Sequence, residues 1–100
     1  MARKVSLTVN DNLIELDYFV EGYVYHVAAG ILASLKGTGA VKNLELDVDN
    51  DGQIKITLNG SDVPLSYFPV QIMRSTLAGM VSNLKGVDKE MSTLELRISQ

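Results

Sequence analysis

Cysteine is absent from this chain of 100 residues. Disulfides, thiolate metal sites and thiol nucleophiles are therefore excluded. Histidine occurs once, at His26, so no second imidazole is present to complete a metal set or a catalytic pair. No apolar run approaches the roughly 20 residues that a membrane-spanning helix needs. The opening residues, MARKVSLTVN, are basic but run into a strand-like alternation instead of the apolar core of a signal peptide. A phosphate-cradling GxxxxGK[ST] loop is missing. Gly37-Thr38-Gly39 follows a helix-like stretch instead of preceding one, so it presents no helix N–H groups to an anion. The nine basic residues are scattered and outnumbered by 12 acidic ones, for a net charge of −3. Nucleic acids need a clustered basic face, and none is present. These absences predict a cytosolic protein with no cofactor, no nucleic-acid partner and no membrane attachment.

What is present is a pattern stated twice. Val5–Gly37 aligns with Ile54–Gly86 at a constant offset of 49, and ten of the 33 positions are identical. Chance at about 6% per position gives roughly two matches against ordinary amino-acid usage. One residue later in register, Leu44-Glu45-Leu46 recurs as Leu94-Glu95-Leu96. The composition is 46% hydrophobic with a mean hydropathy of +0.11, as expected for a well-buried globular chain. One hundred residues support one core. A single domain over 1–100 is predicted, built from two tandem repeats at about 5–48 and 54–98 that share it.

Each repeat reads as the same string of elements. Val5, Leu7 and Val9, and likewise Ile54, Ile56 and Leu58, alternate with polar residues as half-buried strands do. Asn10-Asp11-Asn12 and Asn59-Gly60-Ser61 follow as turns suited to positive φ. Short extended pieces at 13–16 and 62–65 come next, the second confined to an edge by Pro64. Asp17 and Ser66 are N-caps of helices expected near 18–36 and 67–85. Pro69 falls in the first turn of the second, where its missing N–H breaks no helical bond. Both helices end in Leu-Lys-Gly, a cation and a glycine suited to a helix C-terminus. Val20, Val24, Val27, Ile31 and Leu35 trace an apolar stripe on the first, and Ile72, Met73, Thr76, Met80 and Leu84 a similar one on the second. Closing strands place Leu44, Leu46 and Val48, then Leu94, Leu96 and Ile98, inward.

The order β(β)αβ–β(β)αβ predicts an α+β fold. It is an internally duplicated, ferredoxin-like two-layer sandwich with two helices on one face of an antiparallel or mixed sheet. Strands 5–9 and 54–58 are expected as its central neighbours. The outward strand positions, Ser6, Thr8, Glu45, Asp47, Lys55, Thr57, Glu95 and Arg97, include no aromatic residue for stacking a base. A solvated sheet face is the expectation. The mid-helix pairs Ala29-Gly30 and Ala78-Gly79 are expected at close helix–helix or helix–sheet contacts, since a mid-helix glycine costs about 1 kcal/mol.

Few residues resemble chemistry. DVDNDGQI at 47–54 matches the front of a calcium loop, with Asp47, Asp49 and Asp51 as alternating carboxylates for a hard cation. The twelfth position is Leu58 where that loop needs a bidentate glutamate, and a strand follows where a helix is required. A hairpin turn is the simpler expectation, with a weak calcium site as the alternative. Tyr18-Phe19 and Tyr67-Phe68 are expected as core anchors of their helices, with two symmetric halves of a ligand rim or partner surface as the alternative. Tyr23, Tyr25 and His26 occur in one repeat only and mark a candidate partner surface. An acylphosphatase of similar architecture needs an arginine-bearing phosphate loop after the first strand, where this chain has the acidic Asn10-Asp11-Asn12. The residues therefore favour a non-catalytic interaction or assembly domain, paired as a homodimer. A regulatory small-molecule-binding domain is the alternative.

Overall fold

The structure is a computed structural model that describes residues 3–35, 41–65, 67–84, 86–87 and 90–100. Strand β1 (Lys4–Val9) pairs with the short β2 (Asn12–Ile14). Helix α1 (Tyr18–Ala33) and strand β3 (Asn43–Val48) follow. Then β4 (Ile54–Leu58), the two-residue β5 (Ser61–Asp62), α2 (Tyr67–Val81) and β6 (Leu94–Ser99) repeat the same order of elements. The fold is α+β, an open six-stranded sheet in the order β2-β1-β6-β3-β4-β5 with every neighbouring pair antiparallel.

That order corrects one expectation. The central pair is β3 and β6, not strands 5–9 and 54–58. The cause lies in the two tight hairpins. A strand has two edges, and β1 uses one of them on β2, just as β4 uses one on β5. The second edge of β4 is taken by β3 across the 49–53 hairpin, so the second edge of β1 goes to β6 and the two strands do not meet. The closing strands, which make no hairpin of this kind, pair at the centre. Exchanging β1, β2 and β3 for β4, β5 and β6 returns the same sheet order read backwards. The two edges are as short as three and two residues, which limits strand addition from outside.

The hairpin turns take the expected backbone. Asn10 and Asp11 have φ of 52° and 68°, and Asn59 and Gly60 have 53° and 86°, the positive pair that a type I′ turn requires. Each asparagine also acts as a clamp. The Asn10 Oδ1 accepts the backbone N–H groups of Ser92 (2.6 Å) and Thr93 (3.1 Å) at the entry to β6. The Asn59 Oδ1 accepts those of Lys42 (3.0 Å) and Asn43 (2.9 Å) at the entry to β3. The donors lie 50 residues apart in each case, so aligned asparagines hold aligned strand starts.

Residues Leu7, Leu96, Leu46 and Ile56 form one cross-sheet row of apolar side chains. Val9, Leu94, Val48 and Ile54 form the next, and Val5, Ile98, Leu44 and Leu58 the third. This apolar face meets Val24, Ala28 and Leu32 of α1 and Met73, Leu77, Met80 and Val81 of α2 in one cluster. Both helices therefore cover the same side of the sheet, and the molecule is 35 × 35 × 18 Å. Buried positions 24, 28 and 32 correspond at the offset of 49 to 73, 77 and 81. Both helices are rotated from the predicted stripes. Val20, Val27, Ile31 and Leu35 are only partly buried, and Ile72 is 49% exposed.

Asp17 caps α1 as expected, with extended backbone and its Oδ1 accepting the Val20 N–H at 2.8 Å. Ser66, the expected cap of α2, lies outside the described residues, as do Lys36, Gly37 and Lys85 of the closing signals. The helices end earlier than 36 and 85. Ser34 and Leu35 N–H groups bond back three residues, to Ile31 and Leu32, and the Ser34 hydroxyl donates to the Gly30 carbonyl. In α2 the Ser82 hydroxyl donates to the Gly79 carbonyl and the Leu84 N–H to the Val81 carbonyl. These tighter bonds satisfy the last carbonyls and close each helix. Among the described residues no helix is long and apolar enough to cross a membrane.

Candidate functional site

The three acidic residues suggested as a calcium site do different jobs. The Asp49 carboxylate turns back into its own loop, where Oδ1 accepts the N–H groups of Asp51 and Gln53, both at 2.9 Å. Gly52 follows at φ 80°, completing a reversal closed by a bond from the Asp49 N–H to the Gln53 carbonyl. Asp47 stands on the outer sheet face and takes a 2.8 Å ion pair from Arg97. Asp51 is exposed at the turn. Among the described residues no group of three acidic or histidine side chains is placed to hold a metal. The segment is a hairpin turn, and its carboxylates do not converge.

The outer sheet face is polar except for Leu13 of the edge strand β2, which lies opposite Thr8 and is 73% exposed. Thr8, Glu95, Asp47 and Lys55 form one row across it, and Ser6, Arg97, Glu45 and Thr57 the next. Glu95 sits directly opposite Asp47, a like-charge pairing that Arg97 offsets. Partial burial lowers the Arg97 pKa, but the hydrogen bond and charge of Asp47, with Glu45 and Glu95, outweigh it and raise the net value. The guanidinium stays charged, and the face has the character of a solvated surface.

Tyr25 and its neighbours form a tie between chain ends. Arg3 lies 4.1 Å over the Tyr25 ring and pairs with Glu21 at 2.8 Å. The Tyr25 hydroxyl accepts a hydrogen bond from the Gln100 amide at 3.1 Å, and His26 meets the ring edge-on. Tyr25 is thereby engaged within the fold, whereas Tyr23 and His26 are exposed. The structure separates the three residues into two roles, one internal and one on the outer surface.

That outer surface is the distinctive region of the molecule. The exposed residues of α1 are Tyr18, Phe19, Tyr23, His26, Gly30 and Ala33, and none is Asp, Glu, Lys or Arg. Tyr18 is 97% exposed and Phe19 75%, so these two are not the core anchors expected of them. In the first turn of α1 Val20 packs against the core and is partly buried, and Val24 is the first fully buried residue of the helix. The side chains of the aligned Tyr67 and Phe68 lie outside the described set. Phe19 and Tyr23 stack nearly parallel, 6.4 Å apart, and form a ridge. On the α2 side an apolar groove of about 560 Å³ runs between the helices, lined by Val27, Gly30, Ile31, Ile72 and Met73 among others. The one exposed charge described on α2, Arg74, folds over Gly52 of the 49–53 turn.

The mid-helix glycines belong to this surface as well. Gly30 and Gly79 are exposed, and a Cβ added to either meets nothing within 4 Å. They do not serve a close contact inside the fold, contrary to expectation. Sequence patterning offers this surface only as the alternative for Phe19, and places Gly30 at a close contact and Ile72 on the buried stripe. The one signal for them was that Glu21 is the only Asp, Glu, Lys or Arg in the 16 residues of α1. Comparison with protein-family models, with curated proteins and with solved structures found no match.

Proposed function

We propose that this chain is a non-catalytic assembly domain, arisen by duplication of a ββαβ unit, that works as a homodimer through the outer face of its helices. The duplication is supported by the ten identities, by the matched Asn10 and Asn59 clamps, and by buried helix positions that correspond at the same offset. Self-association is carried by one observation: α1 exposes six residues with no Asp, Glu, Lys or Arg among them, two of them stacked aromatic rings. A helix with a single Asp, Glu, Lys or Arg in 16 residues lacks the charged face with which a surface helix ordinarily meets water. Here the sheet covers one side only, and contiguous exposed apolar surface marks an interaction site.

The measurement that tests this is solution mass across the micromolar range by sedimentation equilibrium. A species of twice 10.9 kDa that dissociates on dilution is expected. A strict 10.9 kDa monomer at every concentration refutes the reading.

A further inference from the structure

The homodimer reading leaves open how two identical faces fit together, and the surface of α1 is asymmetric along its length in a way that answers this. Its N-terminal half carries the bulk, with Phe19 and Tyr23 stacked and exposed. Its C-terminal half carries the hollow, where Gly30 has no side chain and Ile31 and Ser34 border the groove against Ile72. Bulk and hollow lie on one face of one helix. Tyr23 and Gly30 are seven residues apart, about 10 Å along the axis at roughly 1.5 Å per residue.

Resting on that reading, we propose that α1 of one copy packs antiparallel on α1 of a second copy, about a twofold axis beside His26 and Val27. The midpoint between Tyr23 and Gly30 falls between those two residues. Rotation about it lays the Tyr23 ring over Gly30 of the other copy and Phe19 over Ser34, and the reverse contact forms at the same time. This is an isologous interface, with large residues meeting absent ones at both ends. Gly30 then has the packing role that it lacks within one chain, since a mid-helix glycine costs about 1 kcal/mol.

Area and charge both admit a second copy. The broad face is 35 × 35 Å, ample for the roughly 800 Å² per partner that a standard interface covers. The exposed positions of α1 bring no like charges together, because they carry no Asp, Glu, Lys or Arg. Of the acidic residues near α1, Glu21 is neutralised by Arg3 and Asp17 is engaged as the helix cap, while Glu45, Asp47 and Glu95 lie on the sheet and Asp49 and Asp51 at the turn.

Two variants and their mixture test the arrangement. Phe19→Ala with Tyr23→Ala removes the ridge, and Gly30→Trp fills the hollow. Gly30 and Phe19 are on the exposed face, and retained helical circular dichroism and a cooperative melt verify that both proteins fold. Each variant alone is expected to dimerise on the order of tenfold or more weakly than the wild type, as for hot-spot truncations. Mixing them restores a dimer of mixed composition, because the intact ridge of one meets the intact hollow of the other. Differently tagged proteins and native mass spectrometry read that species directly. A wild-type dimer that neither variant weakens overturns this arrangement and leaves self-association standing. Two monomeric variants that stay monomeric when mixed overturn the reciprocal contact. A monomeric wild type removes both proposals and leaves the face to a different partner.

Discussion

Gly79→Ala should stabilise the protein, and the magnitude follows from the geometry. Gly79 lies inside α2 with ordinary negative φ, the positive-φ glycines being Gly52, Gly60 and Gly86 among the described residues. The space around it is open for 4 Å in every direction a Cβ could meet, so an added methyl encounters no steric obstacle. What remains is the propensity difference, about 1 kcal/mol in favour of alanine in a helix interior. Part of it acts by restricting the unfolded chain. For a domain of this size, 1 kcal/mol corresponds to roughly 4–8 °C in Tm. Urea unfolding followed by circular dichroism should move to a higher midpoint with unchanged slope. Gly30→Ala should behave alike when measured on the monomer at low concentration. Gly52→Ala supplies the opposite sign. Its φ of 80° disfavours an L side chain, and its Cβ would come within 3.0 Å of the Arg74 guanidinium. The arginine tip can swing aside, so the cost is mainly the backbone term, about 1–2 kcal/mol. If Gly79→Ala leaves stability unchanged or lowers it, that face of α2 is already occupied and the argument from an open surface fails.

The asparagine clamps predict that Asn10→Gly and Asn59→Gly, which keep positive φ available, each lose about 1–2 kcal/mol from two backbone hydrogen bonds. Similar losses in the two variants, read by thermal melts, are expected from their matched partners; a neutral result at both sites contradicts the clamping role. Asp49→Ala should cost about 1 kcal/mol by freeing the Asp51 and Gln53 N–H groups, and by the same amount with calcium or with chelator present. A loss seen only in calcium would return the turn to the candidate cation sites.

The alternating strands, the two positive-φ turns and the Asp17 cap were legible because each depends on short-range chemistry. The pairing of β3 with β6 was not, because it is decided by competition for strand edges. Patterning leaves the pieces at 13–16 and 62–65 undecided, and those pieces take the outer edges of β1 and β4. The facing of α1 was misread for a related reason. Val20, Val24, Val27, Ile31 and Leu35 are apolar, but so is nearly every other position of the helix, and no polar face anchors the phase. Ala28 is fully buried although its small side chain carries little hydropathic weight. The same uniformity that hid the phase is what distinguishes the surface.

Two broad faces are available for association, and their chemistry decides between them. The outer sheet face holds Lys4, Glu45, Asp47, Lys55, Glu95 and Arg97. Covering it with a second copy would strip water from six charged groups per chain, at an effective cost of several kcal/mol for each ion left without compensation. Arg97 already commits its Nη1 donors to Asp47 and the Leu96 carbonyl. An apolar area of about 400 Å² per partner, half of a standard footprint and about 800 Å² over both copies, contributes roughly 20 kcal/mol, which half of the twelve ions of two copies would cancel if left unpaired. The exposed side of α1 faces no such opposition, since it carries no Asp, Glu, Lys or Arg. Desolvation therefore favours the helices over the sheet face for the proposed interface. Phe19→Asp should then weaken dimerisation far more than any reversal of charge on the sheet, such as Lys55→Glu.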